Sequence, residues 1–143
     1  MDYRLELVLI PVADPDRAKA FYIDTLGWRL IVDGGIGGGK RIIQAEPPGS
    51  ACAIGFGVGV TDAPLGSAKG LHLVVTDIVG AREELAGRGV DIGPVRWYDP
   101  GEGAWQDGPH PKRSDYMSFV EFSDPDGNIW LLQERGFRGR MAA

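Results

Sequence analysis

The hydrophobic and polar positions at the start of this chain predict a strand followed by a helix. The apolar stretch Leu5 to Val12 is typical of a strand, and Asp14 after it is a favoured N-cap. Pro15 suits the first helical position, where its missing N–H loses no bond, and Gly27 ends the helix. The apolar side chains of the predicted helix recur at helical spacing, at Ala18, Phe21, Tyr22 and Leu26.

The same order of elements returns 63 residues later, counted from Asp14 to Asp77. Leu71 to Thr76 predicts a strand, Asp77 caps a second helix, and Gly89 ends it. The apolar stripe of this helix is formed by Ile78, Ala81 and Leu85. We interpret the recurrence as an internal repeat.

Each helix is followed by further predicted strands, so each half of the chain has the order βαβββ. The glycine-rich stretch 34–39 between two of these strands lacks the Lys-Ser/Thr of a phosphate-binding loop and opens no helix, which favours a mobile hairpin tip. The predicted strands are Trp28–Val32, Arg41–Ala45, Ala51–Val58, Asp91–Arg96, Met117–Phe122 and Asn128–Gln133.

A tight turn, Asp124-Pro125-Asp126-Gly127-Asn128, joins the last two of these strands. Together with Val12-Ala13-Asp14 and Val75-Thr76-Asp77, each before a helix, it resembles the vicinal oxygen chelate superfamily of glyoxalases, extradiol dioxygenases and bleomycin-resistance proteins. The resemblance covers Leu5 to Glu134.

This resemblance implies an α+β fold, in which two βαβββ modules form a half-open, cavity-bearing mixed β-barrel with the helices outside. We expect one domain over residues 1–143, with module one at about 4–61 and a linker at about 62–69. Module two then covers about 70–134, and residues 135–143 form a short basic tail.

Composition and charge exclude several classes of function. The net charge of −5 and the scattered basic residues argue against nucleic-acid binding. No apolar run is long enough to span a membrane, and no signal segment follows Met1. The single cysteine, Cys52, cannot form an intrachain disulfide and fits a reducing compartment, so we expect a cytoplasmic protein.

Enzymes of the superfamily hold a divalent ion with four side chains, commonly histidine or glutamate. Mapped through the shared motifs, three of those positions fall here on Leu7, Gly70 and Leu131. The fourth belongs to the strand Ala51–Val58, which contains no Glu, Asp or His. Since these residues offer no metal donors, we expect no metal and no other cofactor.

Strand alternation places His72 on the predicted cavity wall, and Gln133 on the same face as Leu131. His72 is the candidate general base or hydrogen-bonding group, and the alternative is a half-buried histidine with a structural partner. With Leu7 on the first strand, these residues predict an apolar cavity that carries a few polar points.

The long segment between Arg96 and Tyr116 is rich in aromatic residues and too long for a hairpin turn. Its aromatic content argues against disorder and favours either a lid over the ligand or a contact with a second subunit. The alternative is that Trp97 and Trp105 merely cover the open side of the barrel. The predicted ligand-binding residues of this segment are Trp97, Trp105, His110 and Tyr116.

These features favour a metal-free protein that sequesters a largely apolar or aromatic small molecule, similar to bleomycin-resistance proteins, which are homodimers. The alternative is a glyoxalase-, dioxygenase- or epimerase-like enzyme. Those chemistries need a metal ion, and the residues at the ligand positions argue against one. The form of the enzyme hypothesis that remains is metal-free, with His72 as the base and Tyr116 or Gln133 polarising a carbonyl. A third possibility is a sensor or accessory domain whose segment 97–116 docks to another protein.

Overall fold

In a computed structural model, which describes residues 1–138, the chain forms two compact units. The first contains residues 1–69 and the turn 124–128, and the second contains residues 70–123 and the chain from Ile129 onward. The predicted basic tail lies outside the described residues beyond Arg138. No helix among the described residues is long and apolar enough to cross a membrane.

The first unit is a four-stranded mixed sheet with one helical segment. The strand order is β1-β4-β3-β2, with β1 parallel to β4 and the other neighbours antiparallel. Its core contains Tyr22, Ile43 and Phe56, all with 0% exposure. The elements are β1 Leu7–Leu9, α1 Pro15–Lys19, a π-helical continuation Ala20–Thr25, β2 Arg29–Gly37, β3 Lys40–Glu46 and β4 Ala53–Val58.

The predicted start of the first helix is confirmed. Asp14 accepts hydrogen bonds from the backbone N–H groups of Asp16 and Arg17, and Pro15 stands in the first turn. Gly27 follows the helical segment with φ of +75°, a conformation that favours glycine.

Two expectations for the first unit need correction. The first strand is shorter than the predicted Leu5–Val12, since only Leu7–Leu9 pairs with β4 as a strand. The glycine-rich stretch is mostly strand, because β2 runs on to Gly37 and pairs with β3, which leaves only Gly38 and Gly39 at the tip. The pairing of β2 with β3 shifts register between Gly35 and Gly37, an irregularity of the kind that glycine often marks in a strand.

The turn 124–128 is organised by the buried carboxylate of Asp124. Its Oδ1 accepts the backbone N–H groups of Asp126 and Asn128, both at 2.9 Å. Its Oδ2 accepts the Tyr22 hydroxyl at 2.7 Å and the Asn128 side-chain amide at 2.8 Å. Gly127 has φ of +84°, as the sequence predicted for the residue that closes the turn.

The second unit repeats the plan of the first with a larger sheet. The strand order is β5-β9-β8-β6-β7, and β5 is parallel to β9, as β1 is to β4. Asp77 caps α2 by accepting the Gly80 N–H, as predicted. The elements are β5 Leu71–Val75, α2 Ile78–Gly87, β6 Arg96–Asp99, β7 Ala104–Asp107, β8 Ser118–Ser123 and β9 Ile129–Glu134.

The region after α2 differs most from the prediction. The predicted strand Asp91–Arg96 does not form: among residues 91–95 only Ile92 makes an isolated bridge, to Phe122, and Arg96 is the first residue of β6. The segment interpreted as a loop contains the hairpin β6–β7, in which Tyr98 pairs with Trp105. Both strands have only four residues and carry charges, so they lack the apolar run that identifies a strand in a sequence.

Candidate functional site

One face of the second unit's sheet packs on α2, and the other is open. Side chains alternate along a strand and paired residues share a face, so the register assigns each residue to a side. The α2 side is buried, at Val120, Phe122, Trp130 and Leu132. We call the other side the open face; it presents His72, Val74, Arg96, Tyr98, Trp105, Phe119, Glu121, Leu131 and Gln133.

Two polar residues predicted to face the cavity are in direct contact on the open face. His72 Nδ1 lies 2.6 Å from Gln133 Oε1. The Gln133 amide nitrogen donates to the Tyr116 carbonyl at 3.5 Å. His72 is exposed and Gln133 is half-buried. The imidazole is therefore accessible to solvent, and the side chain that bonds to it is less exposed than the imidazole itself.

Next to this pair lies a cluster of three aromatic rings: Tyr98, Trp105 and Phe119. Trp105 stands edge-to-face with both others, each at a centroid distance of 5.5 Å. The Arg96 guanidinium lies 4.4 Å from the Trp105 ring centroid and 3.6 Å from the Glu121 carboxylate. Trp105 keeps 46% of its surface exposed, so the cluster offers an aromatic surface to solvent.

The polar pair and the aromatic cluster form one continuous strip. Phe119 on β8 is the direct cross-strand partner of Gln133 on β9. Neighbouring strands lie about 4.8 Å apart, so the two side chains are within contact distance. His72 on β5 and Trp105 on β7 are four strand spacings apart, roughly 19 Å between the strands. A small planar molecule that reaches the imidazole therefore extends over Gln133 toward Phe119, against which Trp105 packs.

Tyr116 supports the strip from a turn before β8. Its φ of +64° is uncommon for a residue with a side chain, and its N–H donates to the Glu134 carbonyl at 2.7 Å. This conformation directs its carbonyl to the Gln133 amide. Tyr116 therefore lies near the predicted site through its backbone, while its ring is 46% exposed.

The structure separates Trp97 and His110 from the other predicted ligand-binding residues. Trp97 pairs with the fully buried Ser118 and so points to the α2 side. Its ring stands edge-to-face with His110 at 5.3 Å, and the His110 N–H donates to the Ser118 hydroxyl. Trp97 and Trp105 therefore lie on opposite sides of the hairpin β6–β7.

A polar groove of about 450 Å³ continues from the open face at the end of β5. Val74 and Thr76 line it, together with Asp115 and Arg135. Arg135 approaches the Tyr116 ring at 5.9 Å. No pattern in the sequence identifies Asp115 and Arg135, because their proximity depends on the turn before β8.

In the first unit, Leu7 lies on the exposed side of β1 next to Leu9. The two residues pair with Ala53 and Gly55, and both remain partly exposed. A Cβ added to Gly55 would meet Leu9 Cδ2 at 3.0 Å and Leu7 Cδ1 at 3.2 Å, so both leucines lean over this glycine.

The repeat also fixes the fourth metal-ligand position of the family. His72 and Leu9 each lie five residues before the helix cap, and they pair with Leu131 and Gly55 respectively. The position equivalent to Leu131 is therefore Gly55. None of the four family positions, Leu7, Gly55, Gly70 and Leu131, carries a metal donor, so these residues do not fit a divalent ion. Residues 1–138 also contain no group of three or more His, Cys, Asp or Glu able to hold one.

Comparison with known proteins gives a consistent result at the level of sequence and of fold. The family model of the Glyoxalase/Bleomycin resistance protein/Dioxygenase superfamily matches residues 4–132. No curated protein matches the chain.

Three solved structures show the likeness along nearly the whole chain. TnmS3, an antibiotic binding protein from Streptomyces sp. CB03234, is 29% identical, with a TM-score of 0.71 over 93% of this chain and 96% of that one. A glyoxalase/bleomycin resistance protein from the same organism is 30% identical, with a TM-score of 0.67 over 92% and 100%. A superfamily member from Sphaerobacter thermophilus DSM 20745 is 26% identical, with a TM-score of 0.72 over 94% and 98%.

The α+β fold with its two mixed sheets matches that of these neighbours. The chain belongs to the Glyoxalase/Bleomycin resistance protein/Dioxygenase superfamily.

Proposed function

We propose that this protein binds and sequesters a largely apolar or aromatic small molecule, without a metal and without turning it over. The observation that carries the proposal is the continuous strip on the open face. It joins the exposed imidazole of His72 to the exposed aromatic surface around Trp105. Aromatic surfaces with a few placed polar groups are typical of sites for planar organic ligands.

The charges on the strip favour a ligand with little net charge. Arg96 lies against Trp105 and beside Glu121, so its charge is partly balanced within the protein. His72 is held by a neutral amide. Among the neighbours, TnmS3 is named as an antibiotic binding protein, which supports a binding role for a related chain.

The residues at the four family ligand positions support a metal-free site. Two leucines and two glycines replace the donors that a divalent ion needs. We therefore propose that Leu131 contributes apolar surface beside the His72–Gln133 pair. We also propose that Leu7 offers apolar surface to a ligand on the exposed side of β1 in the first unit.

We extend the proposal to a cytoplasmic homodimer. Strand β2 is at the edge of the first unit's sheet and exposes Leu30, Ile31, Val32 and Ile36 by 39–56%. An edge strand with exposed apolar residues favours pairing with another chain. Analytical ultracentrifugation of the parent and of Ile31→Lys tests this: a dimer that the substitution weakens is expected, and a monomeric parent contradicts it.

One observation favours a catalytic alternative. The accessible imidazole of His72 is held by Gln133 in the way a general base is oriented, which suits proton abstraction from a small carbonyl or aromatic substrate. In that case His72→Ala abolishes turnover of the substrate, whereas the sequestering protein binds its ligand stoichiometrically and returns it unchanged.

The proposal is tested by titrating the protein with a panel of uncharged planar aromatic compounds while tryptophan fluorescence is recorded. Trp105→Ala is expected to weaken binding of any compound that binds the parent by about tenfold or more, equivalent to ~1.4 kcal/mol. Trp97→Ala is the matched control, because Trp97 lies on the α2 side of the same hairpin. Equal weakening by both substitutions would contradict the proposed site.

A further inference from the structure

The two histidines of this chain have opposite hydrogen-bonding environments at the same ring atom. Nδ1 of His72 faces the oxygen Oε1 of Gln133 at 2.6 Å. Nδ1 of His110 faces the backbone N–H groups of Lys112 at 3.3 Å and Ser114 at 3.4 Å. In a neutral imidazole one ring nitrogen carries the proton and the other accepts, so these partners decide the tautomer.

The orientation of the Gln133 amide follows from its second partner. One end of the amide faces the Tyr116 carbonyl, which can only accept, so that end must be the NH₂ group. The carbonyl end then faces His72 and requires a donor there. His72 therefore carries its proton on Nδ1, whereas His110 accepts at Nδ1 and carries its proton on Nε2.

We infer that Gln133 is a positioning residue that fixes His72 as a hydrogen-bond acceptor at Nε2, so that the bound ligand presents a hydroxyl or N–H donor at this end of the open face. The inference rests on the proposed ligand-binding function. It adds the class of ligand: a planar aromatic molecule with a donor group, such as a phenol, in place of a purely apolar or carbonyl-only one.

Two further observations support this assignment. Among residues 1–138 no group bonds to His72 Nε2, and the residue is exposed, so the nitrogen is available to a ligand. His72 is also the cross-strand partner of Leu131. A ligand whose hydroxyl bonds to His72 would therefore have the apolar side chain of Leu131 beside its ring. A ligand that lacks the donor would cover this nitrogen on binding and leave it without a hydrogen-bond partner, which discriminates against such a ligand.

The tautomers are measured first, on the ¹⁵N-labelled full chain without any ligand, by long-range proton–nitrogen NMR at a pH where the spectra show both imidazoles to be neutral. His72→Gln and His110→Gln assign the two ring systems. The expected result is a proton on Nδ1 of His72 and on Nε2 of His110. A His72 that carries its proton on Nε2, or that shows an equal mixture, overturns the inference.

The role of Gln133 is measured in the same way with Gln133→Met, which keeps the side-chain length and removes the acceptor. The His72 proton is expected to shift toward Nε2, the tautomer that free histidine prefers, while the His110 signals stay unchanged. An unchanged His72 tautomer in this variant would remove Gln133 as the positioning residue.

The ligand class is tested with two probes of the same ring system, 2-naphthol and 2-methoxynaphthalene. We expect 2-naphthol to bind at least about fivefold more tightly, ~1 kcal/mol, to shift the His72 Nε2 signal, and to lose this advantage in Gln133→Met. If 2-naphthol binds no better than its methyl ether, the donor requirement is wrong. Because the tautomer spectra need no ligand, failure of the binding function is separable from failure of the tautomer assignment.

Discussion

Glu134 has no exposed side-chain surface, and its carboxylate accepts two hydrogen bonds from Arg113, at 2.7 Å from Nε and 2.5 Å from Nη2. The same carboxylate also accepts the N–H of Ile78 in the first turn of α2 at 2.9 Å. The hydrogen bonds to Glu134 raise the pKa of Arg113 above its ordinary value. This pair joins the end of β9, next to Gln133, to the start of α2 and to the turn before Tyr116.

Arg113→Ala is expected to destabilise the protein by about 3–5 kcal/mol, because it leaves the Glu134 carboxylate buried without its cation. Arg29→Ala is the matched control, since Arg29 forms an ion pair with Glu46 but is 69% exposed. That control is expected to cost less than about 1 kcal/mol. Urea unfolding measures both, and similar losses for the two variants would show that Glu134 does not depend on Arg113.

The ion pairs of Asp33 predict how the stability of the protein changes at low pH. Hydrogen bonds from Arg41 and Lys19 hold the pKa of Asp33 far below its ordinary value. A carboxyl group whose pKa is lower in the folded than in the unfolded protein stabilises the fold. This stabilisation is fully present at pH values above the unfolded-state pKa of ~3.9, and it is lost as the pH falls below that value toward the folded-state pKa. Asp33→Asn is therefore expected to be less stable than the parent at pH 7, and this deficit should shrink below about pH 4. Unfolding midpoints recorded across this range test it, and a deficit that is constant with pH would contradict the assigned charge interactions.

The hydroxyl of Tyr22 is expected to stabilise the turn 124–128. It donates to the buried carboxylate of Asp124, and a hydrogen bond to a charged group contributes about 1.5–3 kcal/mol. Tyr22→Phe should lower the free energy of unfolding by that amount. Tyr98→Phe is the control, since Tyr98 is 42% exposed, and its loss should stay within about 0.5 kcal/mol. Equal effects would mean that the Tyr22 hydroxyl does not stabilise the turn.

Gly57 is predicted to be intolerant of any side chain. Its φ is +155°, and an added Cβ would lie 1.9 Å from the Arg41 carbonyl oxygen on β3. Gly57→Ala should therefore break the β3–β4 pairing and cost about 4 kcal/mol or more, seen as loss of soluble folded protein. Gly34→Ala, with open space around its Cβ, should stay within about 1 kcal/mol of the parent by thermal unfolding. A stable Gly57→Ala variant would contradict this strand register.

The repeat was predictable because its signals are local. A cap, a helical stripe and a terminating glycine recur around Asp14 and Asp77, and each depends on only a few neighbouring residues. The turn at Asp124 carries its own signal for the same reason.

The hairpin β6–β7 was not predictable in the same way. Its strands are short and partly charged, and their pairing partners come from other parts of the chain. Recognising the hairpin would have placed Trp97 and Trp105 on opposite sides, because Tyr98, the neighbour of Trp97, pairs with Trp105.

The polar part of the site was predicted only in outline. Alternation placed His72 and Gln133 on the open side of their strands, but their contact depends on the parallel pairing of β5 with β9. The contribution of Tyr116 is a backbone carbonyl in a positive-φ turn, which no residue pattern identifies.

The most direct test of the central claim is a saturation titration with 2-naphthol, followed by amide and side-chain NMR on the metal-free parent, Trp105→Ala and Trp97→Ala. A ligand site on the open face predicts saturable shifts centred on His72, Gln133 and Phe119 and no change in the compound itself. It also predicts weaker binding in Trp105→Ala but not in Trp97→Ala, because Trp105 packs against Phe119. Shifts centred on Trp97 and His110, or the absence of any saturable shift, would contradict a ligand site on the open face.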